Sequence, residues 1–203
     1  MNINSRTRDI TVLALLAGLN ASVELTLGNY LHMIKSPFVG SVMVGINVII
    51  YTTAYSIVRK KGSIITMGFL TALLNLLFGG AWKPWSIIAI FMEAGLIEII
   101  ISTFGLSILS VITASLAGNL FSLIYTFSVP IIFFGKDALL TLIDKLSVMT
   151  GNPALVHSSL LFALLIIVIF HLAAGSAFGW LAWKMKEFSD IFSERRLSSS
   201  GMG

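Results

Sequence analysis

The sequence predicts an all-α polytopic membrane protein with six transmembrane helices and both termini in the cytoplasm. Three observations carry that prediction. Of the 203 residues, 57% are hydrophobic and only 11% charged, where an average soluble domain carries about 25% charged residues, and the mean hydropathy is +0.96. The apolar residues fall in six runs, most of them near the roughly 20 residues that a helix needs to cross a bilayer core. The basic residues gather in short clusters beside those runs rather than along them.

The first run, residues 10–31, follows a polar stretch containing Arg6 and Arg8. Glu24 and Asn29 interrupt it and no small-residue cleavage site stands out, so it reads as a retained helix rather than a signal peptide. Pro37 separates it from the second run, 38–58. The third, 63–78, is short for a span and stops at Gly79-Gly80, and the fourth, 85–102, is opened by Pro84. Gly105 precedes the fifth, 106–134, which exceeds a bilayer's thickness, and Pro130 is expected to bend or end it. The sixth covers 159–183. All belong to one domain, 1–203, with no second compositional zone for a soluble module.

Lysine and arginine set the orientation. With the N-terminus inside, Arg6, Arg8, Arg59, Lys60, Lys61, Lys184, Lys186, Arg195 and Arg196 are cytoplasmic, while Lys35, Lys83, Lys136 and Lys145 are outside. The 135–158 connection is then extracellular. In it Ala138, Leu139, Leu142, Ile143 and Leu146 recur at helical spacing, the pattern of a short interfacial helix, either a lid or an inert segment. The 184–203 tail is cytoplasmic, and its Ser- and Gly-rich end from Arg195 reads as disordered.

Several chemistries are excluded. With no cysteine there is no disulfide, zinc thiolate or thiol catalysis. No G-x-x-x-x-G-K-[ST] is present, so the chain does not hydrolyse a nucleotide by itself. No H-E-x-x-H or nucleophile elbow appears, and paired broken helices in inverted halves, the mark of a self-sufficient secondary transporter, are missing. The net charge of +4 orients helices and does not point to nucleic acid. His32, His157 and His171 are dispersed, so no metal site and no cofactor is expected.

The informative residues are polar ones inside apolar runs. A carboxylate at the centre of a membrane helix costs roughly 2.5–3.5 kcal/mol even on lenient insertion scales, so it usually faces a partner, a cavity or a ligand. At about 1.5 Å per residue, Glu24 lies about 10 Å and Glu93 about 12 Å below the outer ends of their helices. Asn75 and Asn119 also fall in outer halves. Four polar groups at similar depth suit one pocket open to the outside; the competing reading is helix–helix hydrogen bonding. Glu98, about 140° around the helix from Glu93, is expected to face elsewhere, either snorkelling or meeting Arg59, Lys60 or a partner protein. Trp82, Trp85 and Tyr125 suit either interfacial anchoring or a stacking wall for an aromatic or cationic ligand. Carboxylates beside such rings favour a cationic, aromatic small molecule. In the first helix, Ala14-x-x-x-Gly18 and Ala17-x-x-x-Ala21 form small-residue faces that let another helix approach; Gly175-x-x-x-Gly179 and Ala173-x-x-x-Ala177 repeat the pattern in the sixth.

Six helices, both termini inside and a small-residue first helix entered by Arg8-Asp9 resemble the S components of energy-coupling factor (ECF) transporters, the membrane-embedded substrate-binding proteins for vitamins. The nearest likeness is to the YkoE-type thiamine-related branch, through Pro37-x-x-Gly40, Leu70-Thr71-Ala72-Leu73-Leu74, Gly79-Gly80 and Glu93-Ala94-Gly95-x-x-Glu98. The resemblance implies an acid at Glu98 and a glutamine-like residue where this chain has Glu93. It also implies capture of thiamine or its hydroxymethylpyrimidine precursor from outside and uptake powered by two ATPase subunits. Ala14, Ala17, Gly18 and Ala21 would dock on a membrane coupling protein. Two rivals stand beside it: a membrane enzyme using Glu24 and Glu93 as acid and base on a lipid-linked substrate, and a ligand-free scaffold.

Overall fold

A computed structural model describes residues 3–34, 38–79, 84–135, 140 and 160–200, and the regular structure among them is helical. Helix α1 (Ile3–Val23) passes through a π-helical segment (Glu24–Gly28) into α2 (Asn29–Met33), forming one rod. There follow α3 (Val39–Val58), α4 (Ser63–Phe78), α5 (Pro84–Phe104), α6 (Ile108–Phe134) and α7 (Leu160–Ser200). Five stretches are long and apolar enough to cross a membrane: Arg6–Met33, Val39–Val58, Trp85–Phe104, Ile108–Phe133 and Leu164–Ile191. The sixth expected span, Ser63–Phe78, is apolar but shorter.

Helix α3 is the hub, packed against α1, α4, α5, α6 and α7. Two thirds of its span (67%) is buried, against 22–39% for the other four. Its polar side chains therefore project into protein rather than lipid, and Asn47 is 1% exposed. The helices alternate in direction, so the start of α1, the α3–α4 turn and the end of α7 share one end, which carries Arg8, Arg59, Lys60, Lys61, Lys184 and Lys186. Ion pairs tie it together. Asp9 accepts from Lys60 and, at 3.3 Å, from Arg8, while Arg59 lies 3.8 Å from Asp190.

The turn at this basic end explains Glu98. Arg59 ends α3 in the left-handed region (φ 51°), and Gly62, at φ 88°, precedes α4 with no side chain to cap it. The first N–H groups of a helix need acceptors. Glu98 supplies them from α5: Oε1 accepts from Gly62 N at 2.9 Å and Oε2 from Ile64 N at 2.8 Å. A carboxylate also suits the positive end of a helix dipole. Its expected snorkelling or contact with Arg59 or Lys60 is replaced by this cap. Helix α6, following Gly105 (φ 73°), has its own cap, a reciprocal Ser107–Ser110 box.

Four expectations change. The first helix begins at Ile3, not residue 10. Helix α6 continues through Pro130 to Phe134, so the proline does not end it. Helix α7 continues to Ser200 where a disordered end was expected. Lys184–Glu187 (2.8 Å) and Lys186–Asp190 (2.7 Å) pairs, one helical turn apart, support its extension beyond the apolar stretch. The Gly175/Gly179 face is turned inward: a Cβ at Gly179 would lie 2.7 Å from Ile112 Cα and one at Gly175 3.1 Å from Leu116 Cα. That motif packs α7 on α6, leaving Ala173 and Ala177 exposed. The expected 138–146 interfacial helix lies outside the described residues, apart from Leu140.

Candidate functional site

The site begins where the first rod changes its winding. An α-helix that widens into a π turn shifts the register of the side chains beyond it, and such segments recur at functional positions. Here the π segment starts at Glu24. Side chains take up carbonyls around it: Thr26 Oγ1 donates to Ser22 O (2.7 Å) and Asn29 Nδ2 to Leu25 O (2.6 Å). Gly28, buried in the segment, faces Glu24 and Met43: a Cβ there would sit in ordinary contact, 3.7 Å from Glu24 Oε2 and 3.8 Å from Met43 Sδ.

Glu24 then meets the hub. Asn47 Nδ2 donates to Glu24 Oε1 at 3.2 Å and to Glu93 Oε1 at 3.1 Å. One amide nitrogen thus joins carboxylates from two other helices, using both of its hydrogens. Because both oxygens sit on one nitrogen they are no more than about 6.3 Å apart, and at an effective dielectric of about 20 two full charges at that distance repel by about 3 kcal/mol. Glu93 is 6% exposed and Glu24 half-buried. The Asn47 carbonyl oxygen has no hydrogen-bond partner among the described residues.

Beside Glu24 lies a small open recess, at the end of the bundle away from the basic cluster. Glu24, Asn29 and His32 line it from the first rod, Met43 from α3, Asn75 from α4 and Ser86 from α5. Ile90, one turn before Glu93, also lines it. No lysine or arginine is among the described residues lining it. The recess is acidic and amide-rich, with apolar walls, a combination suited to a small cation with an apolar body.

The sequence-derived site is partly gathered here. Glu24 and Asn75 line the recess, and Glu93 joins Glu24 through Asn47. Asn119 does not line it: it is buried on α6, donating to Ser115 O at 3.0 Å. Trp85 and Tyr125 also lie elsewhere. The Tyr125 hydroxyl donates to Trp85 O (2.6 Å) and the Trp85 ring packs on Phe133 with centroids 4.2 Å apart, so this pair fastens α5 to α6. Trp82 lies outside the described residues. His171 is buried, its Nδ1 2.9 Å from Ile167 O. Asn47, His32, Asn29 and Ser86 join the site without having been expected there. Asn47 is open to discovery by the rule that flags Glu24, being a lone amide in an apolar run.

The small-residue face of α1 divides. Ala17 and Ala21 are buried, 0% and 3% exposed. Ala14 is exposed, and a Cβ added to Gly18 would meet nothing within 4 Å. Ala14 and Gly18 thus remain on the outer surface of the bundle.

A family model described as ABC-type cobalt transport system, permease component, matches residues 8–124, more than half of the chain. The chain belongs to this family. Neither a curated protein nor a solved structure matches it. As a permease component it is a multi-pass membrane part of an ABC-type transporter, a system that includes ATPase subunits, and the family is one of transport components rather than enzymes. The stretch matching the permease family contains Glu24, Asn47, Asn75 and Glu93, while α7 follows it.

Proposed function

We propose that this permease component is the substrate-binding subunit of an ECF-type importer. It captures a small cationic organic nutrient, with thiamine or hydroxymethylpyrimidine favoured, in the recess beside Glu24. The observation that carries the proposal is the Glu24–Asn47–Glu93 unit: two carboxylates on one amide, next to a recess whose described lining holds no lysine or arginine. A buried carboxylate pair without a counter-ion is costly in a bilayer, and a cationic ligand supplies the missing charge. The nine-to-four distribution of basic residues turns this mouth outward, with both termini inside and six membrane crossings. Ala14 and Gly18 form the surface for the membrane coupling protein, through which two ATPase subunits drive release.

The family description carries a second reading, a cobalt ion as cargo. Among the described residues no three His, Cys, Asp or Glu side chains cluster, and amide and apolar walls favour an organic ligand. Calorimetry on the purified protein with thiamine, hydroxymethylpyrimidine and cobalt(II) separates the two. Saturable binding of either organic compound is expected. Binding of cobalt alone moves the cargo to the metal, and binding of none of the three defeats the proposed substrate class.

A further inference from the structure

We infer that in the ligand-free protein the Glu24–Asn47–Glu93 unit holds one proton between its two carboxyl groups and releases it when a cation enters the recess, so that binding exchanges a proton for the cargo. The inference rests on the proposed cation-binding function and adds its proton stoichiometry. It starts from the count of donors. Both hydrogens of the Asn47 amide are engaged, one on each carboxyl group. Among the described residues, the groups facing the pair bring no fixed positive charge. From α1 comes Asn20, whose side chain lies close to the Tyr51 hydroxyl of α3; Tyr51 is 0% exposed and near both glutamates. From α4 comes Asn75 at the recess. From α6 comes Gly118, where a Cβ would lie 3.9 Å from Glu93 Cγ. His32, from α2, is exposed at the recess.

Two carboxyl groups this close, in a protein interior without a counter-ion, do not both ionise; they retain a proton as a pair. One proton on the pair leaves one negative charge. When a monocation arrives, both groups ionise, the proton passes to water, and the net charge of the filled site is again one negative. The exchange keeps the charge of the site constant, whereas losing the proton to a neutral ligand would leave two negative charges. Glu98 takes no part in the exchange: its two oxygens are occupied by the Gly62 and Ile64 N–H groups at the start of α4, away from the recess.

The test has one arm that needs no ligand. Infrared spectra of the full-length, ligand-free protein at neutral pH should show a carboxylic-acid C=O stretch that the Glu24→Gln/Glu93→Gln double variant lacks. Absence of that band from the wild type, or its persistence in the double variant, would overturn the inference. In the second arm, thiamine is titrated calorimetrically in two buffers of different ionisation enthalpy at the same pH. The thiazolium charge of thiamine is fixed, so a buffer-dependent enthalpy corresponding to about one proton released per thiamine is expected. Binding with identical enthalpy in both buffers would also overturn the inference. Failure of thiamine to bind counts against the proposed function, and the infrared arm then decides the proton by itself.

Discussion

Glu93 and Glu98 stand five residues apart on α5 and are almost equally buried, 6% and 7% exposed, yet the fold treats them in opposite ways. Glu98 has a backbone donor on each oxygen and closes the start of α4. Glu93 has only an amide donor that it shares with Glu24, and it is Glu24 that lines the open recess. One carboxylate is fully satisfied by backbone donors; the other shares a single amide with a second acid. Burial in a membrane span therefore does not by itself mark a binding residue.

The strongest way to break this contrast is to remove the cap. Glu98→Ala deprives the Gly62 and Ile64 N–H groups of their acceptor, and a donor left without its partner costs about 1–3 kcal/mol. The melting temperature in detergent should fall clearly, while thiamine affinity of the protein that remains folded stays unchanged. A loss of affinity without a loss of stability would place Glu98 in the site. Next in size is Asn47→Leu. Without the amide the two acids lose their common donor, and affinity should fall about tenfold, a difference near 1.4 kcal/mol. Unaltered affinity would mean that Asn47 merely packs.

Much of this contrast is legible in the amino-acid sequence. The bounds of α4 follow from Gly62 and Gly79, and Glu24 and Glu93 stand out because carboxylates are costly in a bilayer. Direction around a helix is not legible there. In a soluble protein the polar face reveals which side is out, but here lipid-facing and core-facing positions are both apolar. Ala14 and Ala17 look alike in sequence, yet one is exposed and the other wholly buried. For the same reason Tyr125 and Trp85, plausible as ligand-binding rings, pair with each other instead. The π turn at Glu24 leaves no composition signal, and it alters the register of the side chains that reach the recess.

The divided face of α1 sharpens the comparison in a gentler way. Gly18→Trp adds bulk where an added Cβ meets nothing, so the fold and thiamine binding should be retained. Uptake in cells that supply the coupling protein and ATPases should fall towards background, because a close helix contact is blocked. Full uptake by this variant would remove Gly18 from the docking surface. Ala17→Trp cannot serve, since it would overpack the core.

The most direct measurement compares thiamine binding by wild type, Glu93→Gln and Glu98→Gln under one set of conditions. Glutamine keeps the shape of each side chain and removes its charge. Loss of a charge-assisted contact of about 1.5–3 kcal/mol corresponds to a roughly ten- to hundredfold weaker affinity for Glu93→Gln, and Glu98→Gln should bind as the wild type does. Equal affinity for wild type and Glu93→Gln, or an equal loss in both variants, would contradict the assignment of the cation site to the Glu24–Asn47–Glu93 unit.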